Sequence, residues 1–346
     1  MKFSDFLSGW ILKFYSENEA RENFLTLPQK SEIFGMAILS KIKKIIQNTK
    51  QNKKSKEKEI KREKKEEREK KSISILEIGA GDGDLSYSLI KNSENFGINI
   101  EKLILVEFSE RRIENIKAKF ENHLEPIFIK SLFDFNGKVD FIISNEFFDS
   151  LPFSVIIFEK GIFKELFVEN GKPYFAPATE SSLEYIRKYI RNEWWPSEQQ
   201  EENKIVFEIC ELFPNYIKKI SETSNFTIIS DYGYRYFYHR TPFGSATLHW
   251  KHRAEKINFF EIEKLEKQIN HDFGKKDISF FVDFDILEKI FTEYGYKVYV
   301  QRLSSFIIEN LEDYEFSEEE SRKNALDLIE ALAGWGNFFV LNALNE

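Results

Sequence analysis

Ile73-Ser-Ile-Leu-Glu-Ile-Gly-Ala-Gly-Asp-Gly-Asp84 is the stretch of sequence that decides the fold. Its first half, up to Ile78, is a short apolar run typical of a buried strand. Three glycines at alternate positions follow, and a helical pattern begins directly after them at Leu85. A strand, a tight glycine turn and a helix are the parts of a nucleotide-binding βα unit, in which free N–H groups at the helix start face the ligand.

The spacing of these glycines separates two classes of nucleotide. Dinucleotide-binding folds favour G-x-G-x-x-G, whereas this chain carries E-x-G-x-G-x-G, with Glu77 two residues before the first glycine. A carboxylate at that place would repel a pyrophosphate and attract a cationic group. We therefore expect a cationic or amine-bearing ligand. The alternative is a glycine turn without a ligand in an ordinary α/β domain.

Three further apolar runs predict neighbouring strands of a parallel sheet. The run 102–107 ends in Glu107, about twenty residues after the glycines, where a ribose-binding carboxylate is expected. The runs 126–130 and 139–144 follow, and the second of them leads to Asn145. Strands that alternate with helices and end in polar residues predict a parallel sheet with a ligand along its carboxyl edge.

This arrangement resembles the class I S-adenosylmethionine-dependent methyltransferases. The resemblance implies an α/β, Rossmann-like fold with a seven-stranded, mostly parallel sheet whose last strand is antiparallel. Helix 317–332 and strand 336–343, joined through Gly334-Trp-Gly336, fit the end of that sheet. A helical N-terminal segment precedes the sheet, and a β-meander with helical parts is inserted as the substrate region.

Six longer motifs lie in order along the chain: Thr26-x-Pro28-x-x-Ser31-x-x-Phe34-Gly35, Leu105-Val-Glu-x-Ser109, Asn145-Glu-Phe-Phe-Asp-Ser-Leu-Pro152, Asp231-Tyr-Gly233, the stretch 247–252, and Asp277-Ile-x-x-x-Val-Asp-Phe284. Together they resemble the MidA family, which includes the mitochondrial arginine methyltransferase that assists assembly of respiratory complex I. The resemblance runs from about residue 20 to the C-terminus. It implies an S-adenosyl-L-methionine cofactor and an arginine acceptor on a protein.

The resemblance also implies which residues hold the cofactor: Glu77, Gly79, Gly81, Asp82, Gly83, Glu107, Ser131, Leu132 and Asn145. Glu77 would face the positive sulfonium and the amino group, and Glu107 would accept both ribose hydroxyls in charge-assisted hydrogen bonds. For Glu107 the alternative is a solvated strand end. Family members usually carry Gly-Pro-Gly-Arg-Gly at the turn and an acid at the position of Ser131, so this chain departs from them twice.

The acceptor side depends on Glu146 and Asp149, which we expect to be the catalytic residues. Two acids suit a guanidinium, because it is planar, cationic and matched by bidentate carboxylate contacts. For Asp149 the alternative is a cap on the turn that follows, since Asp is common in turns. Methyl transfer is a displacement at carbon, so the protein mainly positions the acceptor, and no metal is expected.

The charged stretch 50–71 holds twelve basic and six acidic residues and one apolar residue, Ile60. Such a composition cannot bury a core, so we expect a solvated insert. We expect these parts of the chain: an N-terminal helical segment, 1–49; the insert, 50–71; a methyltransferase core, 72–150 and 205–346, with an irregular excursion over the active edge at 235–283; and an acceptor-side insertion, 151–204.

Composition excludes several classes of protein. A single cysteine, Cys210, is incompatible with a disulfide framework or a multi-thiolate zinc site. His249 and His252, with His239 and Asp283 elsewhere, could suggest a metal site, but without metal-ligand spacing hydrogen bonding is the expected role. The chain shows no signal peptide and no apolar span of about 18 residues. We therefore expect a cytoplasmic protein without a membrane partner.

The sequence thus predicts a cytoplasmic S-adenosylmethionine-dependent methyltransferase that modifies an arginine of a protein. One alternative is an amine methyltransferase acting on a small molecule or a nucleic acid, although the net charge of −8 argues against nucleic acid. Another is an assembly chaperone that binds the cofactor without essential turnover. A homodimer is compatible with the sequence.

Overall fold

The computed structural model describes residues 1–17, 26–57, 71–190, 204–235, 244–251, 253–316 and 337–345. The helices are α1 (Phe3–Glu17), α2 (Leu27–Lys30), α3 (Ile33–Glu57), α4 (Asp84–Asn92), α5 (Glu110–Lys119), α6 (Glu180–Tyr189), α7 (Phe213–Thr223), α8 (Ile262–Asp272), α9 (Phe284–Glu293) and α10 (Leu303–Leu311). The strands are β1 (Lys71–Ile78), β2 (Ile98–Val106), β3 (Ile127–Ile129), β4 (Phe141–Asn145), β5 (Ser154–Glu159), β6 (Ile162–Glu169), β7 (Lys172–Pro177), β8 (Ile205–Ile209), β9 (Phe226–Tyr234), β10 (Thr247–Trp250), β11 (Arg253–Lys256), β12 (Asp277–Ser279), β13 (Val282–Asp283), β14 (Lys297–Arg302) and β15 (Phe338–Leu344).

The largest sheet runs in the order β14-β15-β9-β4-β1-β2-β3, with the short β13 paired to β9. Strands β3, β2, β1, β4 and β9 are parallel, whereas β15 is antiparallel to both β9 and β14. The predicted fold, an α/β sheet of seven mostly parallel strands with an antiparallel last strand, is confirmed. Because β1 lies in the middle, its carboxyl end meets those of β2 and β4.

Strand β1 is buried on both faces because its apolar side chains alternate between two cores. Ile73 and Ile75 pack into the core beneath α3 and α4. Leu76 and Ile78 pack into the core on the opposite face. This burial on both sides explains the nearly continuous apolar run, which is typical of a central parallel strand.

Helix α1 contacts β5, β6 and β12. It buries four apolar residues at helical spacing: Phe3, Leu7, Trp10 and Phe14. The Trp10 indole N–H also donates a 2.7 Å hydrogen bond to the Lys276 carbonyl oxygen. Helix α3 continues to Glu57, so part of the charged stretch is helical. The rest of that stretch, 58–70, lies outside the described residues.

The chain after β4 forms a second, antiparallel sheet in the order β7-β6-β5-β8. Strands β5 to β7 correspond to the predicted meander. The fourth strand, β8, pairs with β5. The hairpin turns carry Lys160-Gly161 and Asn170-Gly171, all with positive φ, as two-residue hairpin loops require.

The described part of 235–283 holds more regular structure than its sequence predicts. Strands β10 and β11 form a hairpin whose turn at Lys251 has a φ of 47° without a glycine to mark it. Helix α8 places Leu265 and Ile269 in the core at helical spacing. Helix α10 is a further helix that the sequence analysis does not predict. The predicted helix 317–332 and residues 334–336 lie outside the described residues.

Candidate functional site

The turn after β1 owes its shape to its three glycines, which have φ values of 72°, 56° and 73°. At Gly79 a Cβ would lie 2.7 Å from Cδ2 of Phe147, so packing excludes a side chain there. At Gly81 no atom lies within 4 Å of the Cβ position. The missing side chain of Gly81 therefore leaves a cradle in which a ligand can approach the backbone.

A cavity of about 1050 Å³, including its open mouth, lies over this turn. The structure brings together eight of the nine predicted cofactor residues in its wall: Glu77, Gly79, Gly81, Asp82, Glu107, Ser131, Leu132 and Asn145. The ninth, Gly83, lies behind the turn, where a Cβ would meet Cγ1 of Ile116 at 3.0 Å. Gly83 therefore shapes the turn and is not part of the cavity wall.

Glu107 stands directly after β2, and both of its carboxylate oxygens have backbone donors. Oε1 accepts from the Ser109 N–H at 2.9 Å, and Oε2 accepts from the Gly81 N–H at 3.1 Å. Burial raises the pKa of Glu107, and the guanidinium of Arg112 opposes that rise. The carboxylate is thus fixed at the strand end where it can accept ribose hydroxyls.

Glu77 is buried in the floor of the cavity, where the Ser86 hydroxyl donates a hydrogen bond to Oε2. Burial raises the pKa of Glu77 to about 8. An uncompensated buried carboxylate is costly, and a nearby positive charge would stabilise its ionised form. The site therefore suits a ligand that brings a cation to this place.

Glu146 follows β4 and lies in the cavity wall with a left-handed backbone, φ 51°. The other described non-glycine residues with positive φ are in hairpin turns: Lys160, Asn170 and Lys251. Strain of this kind costs about 1–3 kcal/mol and clusters at functional sites. Burial and then the charge of Asp149 raise the pKa of Glu146 well above its ordinary value.

Asp149 does not line the cavity but is buried behind it, beside Asp231 of β9. Burial, and then the charges of Asp231 and Asp277, raise the pKa of Asp149, whereas the Ser150 N–H bonded to it lowers that pKa. This N–H contact agrees with the alternative of a turn cap. Asp231 Oδ2 accepts from the Phe148 N–H at 2.9 Å and from the Asp149 N–H at 3.3 Å.

The N-terminal helix supplies a part of the site that the sequence analysis missed. Tyr15, at the end of α1, lines the cavity, and its hydroxyl interacts with the carboxylate of Asp277 in β12. Burial raises the pKa of Asp277 to about 6. Arg112 and Tyr216 also line the cavity without having been predicted. Their helical patterns mark buried faces but do not indicate which residues reach a ligand.

The side chain of His249 lies in a hydrogen-bonding cluster with two hydroxyl groups. His249 Nε2 lies 2.8 Å from the Thr247 hydroxyl and 3.1 Å from the Ser279 hydroxyl. Asp283 caps α9 by accepting from the Asp285 and Ile286 N–H groups. His239 and His252 lie outside the described residues. Within the described ranges, no group of His, Cys, Asp and Glu side chains is arranged to hold a metal.

In the part of the chain that the structure describes, no helix is long and apolar enough to cross a membrane.

Comparisons with known proteins bear on this site. A family model described as "Putative S-adenosyl-L-methionine-dependent methyltransferase" matches residues 58–301. A superfamily member from Burkholderia thailandensis, solved with bound S-adenosyl-homocysteine, aligns over 100% of this chain and 88% of its own, with 16% identity and a TM-score of 0.72. A native structure of a protein from the same superfamily and organism aligns over 100% and 87%, with 16% identity and a TM-score of 0.72. No curated protein matches the sequence. At this identity, the two structures establish the likeness of the fold.

Proposed function

Because this chain belongs to the MidA family of S-adenosyl-L-methionine-dependent methyltransferases, we propose that it methylates the guanidinium of an arginine in a protein. The observation that carries the proposal is the excess of buried carboxyl groups on the acceptor side. Glu146 lies in the cavity wall, and Asp149, Asp231 and Asp277 are buried near it. Carboxyl groups this close raise one another's pKa. A planar cation would relieve that repulsion and form two parallel hydrogen bonds with a carboxylate.

The residues in the cavity wall fit the cofactor. Glu107 can accept the ribose hydroxyls, and the open cradle at Gly81 leaves room for a ligand beside the backbone. Glu77 offers a buried carboxyl to the positive end of the ligand. When bound, S-adenosylmethionine supplies a methyl group on a positively charged sulfur.

Glu146 has two tasks in this mechanism. It orients the guanidinium so that one nitrogen points at the methyl carbon, which is the main way a protein accelerates a displacement. It would also accept the proton that this nitrogen loses as its bond to the methyl carbon forms and the methyl–sulfur bond breaks, which would release S-adenosylhomocysteine. The raised pKa of Glu146 suits that second task once the bound guanidinium holds the carboxyl group ionised, because a stronger base takes a proton more readily.

Aromatic rings supply a wall on which a guanidinium can stack. Tyr216 and Phe147 both line the cavity, and their ring centroids are 5.4 Å apart in an edge-to-face contact. Arginine stacks on aromatic faces, with a contribution of about 0.5–2 kcal/mol. In the proposed complex the guanidinium stacks on these rings while Glu146 binds its edge.

The test is to incubate the protein with methyl-labelled S-adenosylmethionine and lysate from the source organism. We expect label in protease-sensitive, nuclease-resistant material, and methylated arginine after acid hydrolysis. The Gly81→Val protein is the control for label that does not depend on the cofactor site. Label confined to small molecules, to nucleic acid or to another amino acid would overturn the proposal.

A further inference from the structure

Arg112 is a buried cation in an unfavourable place. It lies in the first turn of α5, is 8% exposed, and lines the cavity. The N-terminus of a helix carries a partial positive charge, so a cation there is repelled. A buried charge also loses its hydration and needs a partner. Packing alone would favour an apolar residue here, which points to a role for the charge.

The contacts of Arg112 join the cofactor side of the cavity to the N-terminal helix. Its Nη1 lies 3.8 Å from Oε2 of Glu107. Its guanidinium carbon lies 4.9 Å from the centre of the Tyr15 ring, in a cation–π contact. Its Nη2 is buried without a hydrogen-bond partner, so hydrogen bonding within the protein does not account for the whole guanidinium.

We propose that Arg112 is a positioning residue for the cofactor. It holds Glu107 as an anion directed at the ribose hydroxyls, and it holds the Tyr15 ring in the cavity wall. Glu107 already receives the Ser109 and Gly81 N–H groups on its two oxygens. These bonds fix its direction, while Arg112 supplies the opposite charge that a buried carboxylate requires. Arg112 thereby connects Glu107, the carboxylate proposed to bind the ribose, to the part of the cavity wall formed by α1.

Loss of Arg112 has a defined effect on the pH dependence of binding. Burial raises the pKa of Glu107 and Arg112 lowers it, so removing the arginine raises that pKa further. The protonated acid accepts ribose hydroxyls less well. As the pH is lowered, the variant therefore loses affinity for the cofactor at a higher pH than the wild type does. The other titratable groups lining the cavity are Tyr15, Glu77, Asp82, Asp84, Lys130, Glu146 and Tyr216.

The experiment measures calorimetric binding of S-adenosylhomocysteine and of 5′-methylthioadenosine between pH 5 and 8. The second probe lacks the amino acid part of the first, so its pH dependence reports Glu107 with little contribution from Glu77. For Arg112→Gln we expect about tenfold weaker binding at pH 7. The acid limb, meaning the loss of affinity as the pH is lowered, should move to a pH about one unit higher. Arg112→Lys restores most of both, because it restores the charge.

Arg111→Gln is the matched control, because Arg111 is the neighbouring arginine of α5 but is exposed and does not line the cavity. We expect it to leave both probes unaffected. Arg112→Met is prepared as well, because an apolar side chain packs at a buried helix position if the Gln variant does not fold. Unchanged affinity and an unchanged acid limb in the folded variant would overturn the proposal. Neither probe needs an acceptor, so the result is independent of the arginine acceptor proposed above.

Discussion

Asp231 Oδ2 lies 2.9 Å from the backbone nitrogen of Phe148, although 83 residues separate the two along the chain. The same carboxylate receives the Asp149 N–H through Oδ2 and the Tyr232 N–H through Oδ1. The residue before it, Ser230, accepts the Glu146 N–H at 2.9 Å. The end of β9 thus holds the whole turn that presents Glu146 to the cavity.

The first prediction follows from these bonds. In Asp231→Asn one carboxylate oxygen becomes an amide group that cannot accept, so either the Tyr232 N–H or the Phe148 and Asp149 N–H groups lose their partner. Each such group costs about 1–3 kcal/mol, and we expect the melting temperature to fall by several degrees. We also expect slower methyl transfer with little change in affinity for S-adenosylhomocysteine. Full activity in a folded Asp231→Asn protein would show that the turn does not depend on this residue.

The second prediction compares two glycines. Gly81 and Gly161 both have positive φ, 56° and 77°, and neither has an atom within 4 Å of its Cβ position. Valine should strain the backbone similarly at both places, but only at Gly81 does it fill the cavity. We expect Gly81→Val to abolish calorimetric binding of S-adenosylhomocysteine and Gly161→Val to retain it. Equal losses in the two variants would mean that strain, and not the ligand cradle, is responsible.

The sheet and the cofactor half of the cavity are predictable because short local patterns determine them. The apolar run that ends at Ile78 and the glycines after it mark the central strand and its turn. Glu107 and Asn145 follow from the next strands, because parallel strands end at one edge of the sheet. This is why most of the predicted cofactor residues meet at one cavity.

The part of the cavity that we propose to hold the acceptor could not be predicted in the same way, because it depends on contacts between distant elements. Tyr15 reaches the cavity only because Trp10 and the rest of α1 are packed against β5, β6 and β12. Asp277 is brought close to Asp149 by the hydrogen bond from the Phe280 N–H to the Asp149 carbonyl oxygen. Nothing in the sequence near either residue indicates its partner. Arg112 lies close to Glu107 in sequence, but its pattern predicts only a helix.

The third prediction concerns stability and pH. The pKa of Glu77 is raised from an ordinary value of 4.5 to about 8 in the folded protein. The folded state therefore binds more protons than the unfolded state between these values, and stability falls as the pH rises. The slope approaches about 1.4 kcal/mol per pH unit for one such group.

Denaturant unfolding between pH 5 and 8 measures this dependence, and Glu77→Gln is the matched variant. Glutamine cannot ionise, so the variant should lose stability less steeply with rising pH than the wild type. The buried Asp277, with a pKa of about 6, adds a dependence of the same sign to both proteins. Identical slopes for the two proteins would contradict the assignment to Glu77.

The last prediction concerns Glu146. Glu146→Gln keeps the size of the side chain and leaves the backbone strain at this position unchanged, but removes the charge and the base. A charge-assisted hydrogen bond is roughly twice as strong as a neutral one. A loss of about 3 kcal/mol from the transition state slows methyl transfer about a hundredfold. Binding of S-adenosylhomocysteine should change little, because Glu77 and Glu107 are unaltered.

Asp149→Asn is the comparison for this variant, since Asp149 is buried behind the cavity and does not line it. We expect a smaller fall in the methyl-transfer rate than for Glu146→Gln, together with some loss of stability. Initial rates at saturating S-adenosylmethionine, with the labelled protein acceptor as substrate, distinguish the two variants. Because Glu146 alone of this pair lines the cavity, a Glu146→Gln protein with the full wild-type rate would remove the basis for its proposed role as orienting group and base.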